Sequence, residues 1–194
     1  FAGRSWVDVA QVTADELVYI LDASTRIKAA LKGRTPDAYK LGRGLDLFAA
    51  LLFFEPSTRT RFSFEIAAQR LGLQTVGFAG TEATSVKKGE SLLDTVDMFD
   101  AYDMDALILR HPLDGAAKAV TENLKRPDGP PLCCFNGGDG KNEHPTQGLL
   151  DAYTILEKKG GFEGLKVVII GDILHSRVAR SNIWALTKLG AQVT

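Results

Sequence analysis

The eight-residue run Leu47–Phe54 carries no charged and no polar side chain, and no other segment restricts the fold as much. A strand with one wet face would alternate apolar and polar residues. An unbroken run suits a strand covered on both faces, as in a parallel sheet flanked by helices. Further strand candidates stand at Gln74–Ala79, Ala106–Arg110, Leu132–Phe135 and Val167–Gly171. Between them lie helical patterns, one following the first run to about Leu71 and others near Ser91–Ala101, Gly115–Leu124, Thr146–Lys158 and Val178–Leu189. Upstream, Thr13-Ala14-Asp15-Glu16 is a capping-box signature. Leu17, Ile20, Leu21, Ile27 and Leu31 follow it at helical spacing, with Ser24 a small polar interruption of that face. This alternation predicts an α/β fold with a mostly parallel sheet flanked by helices. Lys158-Lys159-Gly160-Gly161 punctuates a helix end and is the expected domain boundary, dividing the chain into 1–158 and 159–194. The second part holds one strand, one helix and the beginning of another strand, too little for a core of its own.

Composition narrows the function. With 45% hydrophobic residues in 194 positions, the chain can fill a sizeable core. Its 23 basic and 24 acidic side chains nearly cancel, which argues against nucleic acid or an anionic membrane as the main partner, so any anion site must be a local concentration of Arg and Lys. Cys133 and Cys134 are adjacent in an apolar run, where strand neighbours face opposite ways and cannot readily bridge. They read as reduced core residues and, with no secretory signal or membrane-length apolar segment, point to the cytoplasm. The three histidines are scattered at no zinc-like spacing, so no metal is expected, nor any other cofactor.

At Glu55-Pro56-Ser57-Thr58-Arg59-Thr60-Arg61 the first apolar run gives way to hydroxyls and guanidinium groups where a helix should begin. Such groups can converge on a tetrahedral anion, reinforced by the first-turn N–H groups and the positive end of the helix dipole; phosphate is the obvious ligand. The alternative is a capped helix start, with Arg59 paired to Glu55 or Ser63 capping locally. In an open parallel sheet, ligands gather beyond the carboxyl ends of the strands, and Arg110-His111 and Asn136–His144 follow strands in the same way. Arg110 alone reads as a surface arginine, and His111 as a packing or hydrogen-bonding residue before Pro112. For His144, ahead of Pro145, the alternative to a ligand role is a helix cap with Gln147 as capping-box partner. Lys87 and Lys88 on their own read as a solvated pair. Gly137-Gly138-Asp139-Gly140-Lys141 lacks the hydroxyl of a phosphate loop and reads as a turn, and Gly171-Asp172 lacks a dinucleotide fingerprint. Ser57 has no obvious base, so no covalent nucleophile is indicated.

Taken in order, Ser57-Thr58-Arg59-Thr60-Arg61, Ser85-Val86-Lys87-Lys88-Gly89-Glu90, Arg110-His111-Pro112, His144-Pro145-Thr146-Gln147 and Asp172–Ser181 resemble the motifs of the aspartate/ornithine carbamoyltransferase family. The resemblance implies two α/β domains of similar size, with this chain the carbamoyl-phosphate-binding domain plus the opening of a Rossmann-like aspartate-binding domain. It implies carbamoyl phosphate contacts from Ser57, Thr58, Arg59, Thr60, Ser85, Lys88, Arg110, His144 and Gln147. Thr60, Arg110 and His144 would meet the carbonyl oxygen, and Gln147 the carbamoyl amino group. Glu55 would orient an arginine across the cleft. Lys88 and Arg177 would contact the acceptor. Thr146 and His175-Ser176-Arg177-Val178 favour L-aspartate as that acceptor, giving carbamoyl aspartate in pyrimidine synthesis. An ornithine-type enzyme and a carbamoyl-phosphate-binding module that does not turn over are the alternatives. The family also implies a homotrimer whose Ser85–Lys88 loop completes a neighbour's site, and it leaves open regulatory or dihydroorotase partner chains.

Overall fold

The computed structural model describes residues 3–31, 39–40, 45–80, 89–124 and 132–194. Helix α1 (Ala14–Ala30) begins at the expected capping box, with Thr13 and Glu16 exchanging bonds. Its buried positions are Leu17 and Leu21, whereas Ile27 is 36% exposed. Then follow β1 (Phe48–Phe53), α2 (Thr58–Leu71), β2 (Gln74–Ala79), α3 (Leu92–Ala101), β3 (Ala106–His111), α4 (Ala116–Asn123), β4 (Cys133–Asp139), α5 (Pro145–Lys159), β5 (Lys166–Val167), α6 (Arg177–Lys188) and β6 (Gln192–Val193).

Strands β1 to β4 form one parallel sheet in the order β2-β1-β3-β4. The apolar run behaves as its composition requires. Ala50, Leu52 and Phe54 pack with Val96 and Phe99 of α3 and Ala117 and Val120 of α4, while Ala49, Leu51 and Phe53 pack with Ala68 of α2 on the other face. Gly77 of β2, at φ +141, lies so close to β1 that a Cβ would sit 2.1 Å from the Leu51 carbonyl oxygen; only glycine fits there. Beyond β4, Trp6 adds one parallel bridge to Phe135. Its N–H donates to the Cys134 carbonyl (2.7 Å), and its carbonyl accepts from the Asn136 N–H (3.0 Å).

Two expectations need correction. Gly137, Gly138 and Asp139 belong to β4 and not to a turn, because the strand continues past a register shift opposite Leu109–His111; the turn begins at Gly140. The expected Val167–Gly171 strand shortens to Lys166–Val167, paired with β6. Only the Ile169 N–H finds a further partner, the Thr194 carbonyl at 2.8 Å, and Val168 and Ile170 are 65% and 91% exposed. Helix α6 lies along α5, and Leu186 shares a cluster with Ala152, Phe162 and Leu21. Among the described residues no helix is long and apolar enough to cross a membrane.

Candidate active site

The chain leaves β1 toward β2 on one side and returns to β3 on the other, so a crevice opens at the carboxyl ends of β1 and β3. Phe53 at the end of β1 is in register with Arg110 of β3. An open cleft of about 890 Å³ lies here, and Ser57, Arg59, Thr60, Arg110, His144, Gln147 and Arg177 all line it. Thr58 takes the first position of α2, exposed and outside this lining. Ser85, Lys87 and Lys88 lie outside the described residues.

Local structure keeps the α2 groups available. Ser57 is the N-cap of α2, yet its hydroxyl makes no capping bond. Ser63 donates to the Thr60 carbonyl (2.9 Å) instead of capping. Among the described residues Arg59 has no ion pair. Glu55 does not serve it: its carboxylate takes Nη2 of Arg110 and Nη2 of Arg177, the latter at 2.5 Å. Arg110 Nη1 also donates to the Gly137 carbonyl (3.1 Å), and Arg177 Nη1 to the Gly140 carbonyl (2.9 Å). Arg110 is therefore buried and clamped, not a surface arginine.

The electrostatics follow from this geometry. Burial would raise the Glu55 carboxyl, but the Arg177 hydrogen bond and the charges of both arginines outweigh it and hold the group below the ordinary range. Burial and the nearby Arg177 charge lower the Arg110 pKa, while Glu55 pulls it back up. Both arginines crowd against Gly138, at φ +114, where a Cβ would meet Arg110 Nη1 at 2.9 Å and Arg177 Nε at 3.2 Å.

His144 is buried at the N-cap of α5, but its imidazole makes no capping bond, so the simple capping role does not hold. Its Nε2 lies 3.4 Å from Thr60 Oγ1 and its Nδ1 3.5 Å from Thr146 Oγ1. Burial first, then the charges of Arg110 and Arg177, push its pKa down to about 4, so it is neutral near pH 7. Gln147 donates from Nε2 to Asp151 (2.9 Å). His111 plays the packing role expected of it: Nδ1 accepts from the Leu113 N–H (3.1 Å), and the ring stacks edge-on against Phe54.

Sequence reading overlooked a buried polar network behind the cleft. Asn136 Nδ2 donates to Asp139 (2.7 Å) and to the Val7 carbonyl (2.8 Å). Glu143 accepts from Ser181 Oγ (2.9 Å) and the Val9 N–H (3.0 Å), and Ser181 Oγ accepts from the His144 N–H (2.9 Å). Nothing in a single sequence marks these long-range pairs. The other overlooked lining residues, Ser63, Phe64 and Ala67 on α2 and Leu150 on α5, lie at helical spacing from Thr60 and Thr146, and that periodicity would have found them. Neither cysteine forms a disulfide; Cys134 is fully buried, and burial pushes its thiol up to about 12.

The cleft thus brings hydroxyls and a guanidinium at a helix start to face two clamped arginines and a neutral histidine, a concentration of donors and positive charge suited to a small anion. Residues 4–157 match the family described as aspartate/ornithine carbamoyltransferase, carbamoyl-P binding domain. The chain belongs to this family. It is 48% identical over 185 residues to the aspartate carbamoyltransferase catalytic subunit of Chlorobium phaeovibrioides, covering 95% of this chain and 57% of the relative. Against the same subunit of Ruminiclostridium cellulolyticum the identity is 47%, over 94% of this chain and 55% of the relative. The chain thus spans little more than half the length of these relatives. Aspartate transcarbamoylase from Trypanosoma cruzi, solved in complex with carbamoyl phosphate and aspartate, superposes with a TM-score of 0.85 at 29% identity, covering 100% of this chain and 60% of that one. The catalytic subunit of M. jannaschii aspartate transcarbamoylase gives a TM-score of 0.81 at 35% identity, over 98% of this chain and 58% of that one.

Proposed function

We propose that this chain forms the carbamoyl-phosphate half of an aspartate carbamoyltransferase, which transfers the carbamoyl group to the amino nitrogen of L-aspartate in pyrimidine synthesis. The observation that carries this reading is the convergence of Ser57, Arg59, Thr60, Arg110, His144 and Gln147 on one cleft with Arg177 at its rim. Complexes of the Trypanosoma cruzi enzyme with carbamoyl phosphate and aspartate, and with carbamoyl aspartate and phosphate, support the same chemistry.

The amine attacks the carbonyl carbon, a C–N bond forms, and the carbonyl electrons collect on oxygen. Thr60, Arg110 and neutral His144 donate to that oxyanion. The C–O bond to phosphate then breaks with its electron pair going to the departing phosphate, which also takes the proton that the amine gives up. Ser57, Arg59 and Arg110 receive the phosphate, joined by Thr58 and, from a neighbouring copy, Ser85 and Lys88. Arg177 takes the α-carboxylate of aspartate. Catalysis on this reading is positional and electrostatic, each oxyanion donor contributing about 2.7–4 kcal/mol. Residues 1–158 make the first domain and 159–194 open the aspartate-binding one. The working unit is a cytoplasmic homotrimer with shared sites.

Calorimetric titration of this chain with carbamoyl phosphate tests the first half of the proposal, and a colorimetric assay for carbamoyl aspartate with the subunits assembled tests the second. Absence of carbamoyl phosphate binding would refute the assignment of the cleft. Binding without turnover in an assembled full-length subunit would leave a binding module.

A further inference from the structure

Gln147 and Asn182 present their side-chain amides to the same carboxylate. Gln147 Nε2 donates to Asp151 Oδ1 (2.9 Å), and Asn182 Nδ2 donates to Asp151 Oδ2 (2.7 Å). A carboxylate accepts and does not donate, so both amides must turn their NH2 groups toward it. Asn182 does so even though its buried Oδ1 is left with no hydrogen-bond partner among the described residues. The preference for NH2 on the Asp151 side is thus strong enough to override the satisfaction of a second buried polar atom.

The consequence falls on the other end of Gln147. With Nε2 committed, Oε1 is the atom free for the cleft that Gln147 lines, and it has no partner among the described residues. A free amide could rotate by half a turn and present NH2 instead, which would repel a donor and welcome an acceptor. We propose that Asp151 is a specificity-determining positioning residue: by fixing the Gln147 amide, it makes the cleft select an acyl phosphate whose acyl group carries NH2 over one that carries CH3. This rests on the carbamoyl-phosphate reading of the cleft. Asp151 does not touch the ligand; it acts through Gln147.

The decisive experiment compares carbamoyl phosphate, acetyl phosphate and inorganic phosphate by calorimetry on this chain and on Asp151→Asn. Acetyl phosphate differs from carbamoyl phosphate only in a methyl group where the amino group stands, so it keeps the phosphate and carbonyl contacts. An asparagine has one oxygen and one NH2, cannot accept from both amides on equal terms, and lets Gln147 turn over. Wild type should prefer carbamoyl over acetyl phosphate by about tenfold, the worth of one well-made hydrogen bond. In Asp151→Asn that ratio should fall to near one, with acetyl phosphate and inorganic phosphate binding unchanged. Asn182→Ala removes the other donor and should keep the wild-type ratio. An unaltered ratio in Asp151→Asn, or an equal loss for all three ligands, would overturn the proposal. If carbamoyl phosphate fails to bind at all, the function reading falls. The orientation is still read from the Gln147 side-chain NH2 resonances: they should lose their hydrogen-bonded shift in Asp151→Asn, and indifference to that change would overturn the proposal independently.

Discussion

The two walls of the cleft are built on opposite principles. On the α2 wall, Ser57 makes no capping bond and Arg59 has no ion pair among the described residues. On the opposite wall, Arg110 of β3 and Arg177 of α6 are already held by Glu55 and by the carbonyls of Gly137 and Gly140. The first wall is vacant and exposed; the second is occupied and stiff. Among the described residues an arriving anion meets no carboxylate at Arg59, but at Arg110 it must share a guanidinium with one. The vacant wall should therefore supply affinity and the clamped wall geometry.

Arg59→Ala attacks the vacant wall directly and should produce the largest effect, a loss on the order of 10²–10³ in carbamoyl transfer, with the thermal midpoint unchanged because the side chain supports no core contact. Normal turnover in that variant would end the distinction between the walls. Gly138→Ala attacks the clamp: the added methyl reaches both guanidinium groups at a φ of +114. A stability loss of about 1–3 kcal/mol in chemical denaturation should accompany weaker ligand binding. Stability unaffected beside poor binding would mean the clamp is soft.

His144 sharpens the comparison through pH. Its folded pKa of about 4 lies below the unfolded value of 6.5, so between these limits the unfolded chain binds a proton that the native one refuses. Stability should be lost as pH falls from about 6.5 to 4, by up to roughly 3 kcal/mol from this residue. A His144→Gln variant should show a flatter profile across that window in denaturant melts, and an equally steep one would assign the slope elsewhere. Thr58→Ala should have the smallest effect, about threefold in carbamoyl phosphate affinity, since its exposed side chain lies outside the lining and its N–H survives the substitution. A loss as large as that of Arg59→Ala would show that the helix start reorganises around the ligand.

The sheet was legible in the sequence because burial on both faces of β1 leaves an unbroken apolar run. The α2 groups were legible because hydroxyls and arginines at a helix start are a local pattern. The partner of Glu55 was not: pairing with Arg59 four residues away and pairing with Arg110 and Arg177 across the cleft are equally compatible with sequence, and only the fold decides between them. Val167–Gly171 shows the converse. Its apolar residues are intrinsically strand-like, yet past Val167 the ladder is continued by the Ile169 N–H to the Thr194 carbonyl. Gly137 and Gly138 read as turn residues because glycine usually marks turns, whereas at Gly138 the missing side chain makes room for two guanidinium groups.

The bridge from Trp6 to Phe135 has a consequence for how the molecule is made. The residues that extend the β4 edge are synthesised about 130 positions before their hydrogen-bond partners. At 5–20 residues per second the N-terminal segment waits roughly 6–26 seconds for a docking site. During that interval β4 is still missing and the nascent sheet exposes its β3 edge, so pairing of the Trp6 segment is a late event that must follow β4. Stalled nascent chains ending before residue 132 should accordingly be cut by protease near Trp6, and longer ones should be protected there.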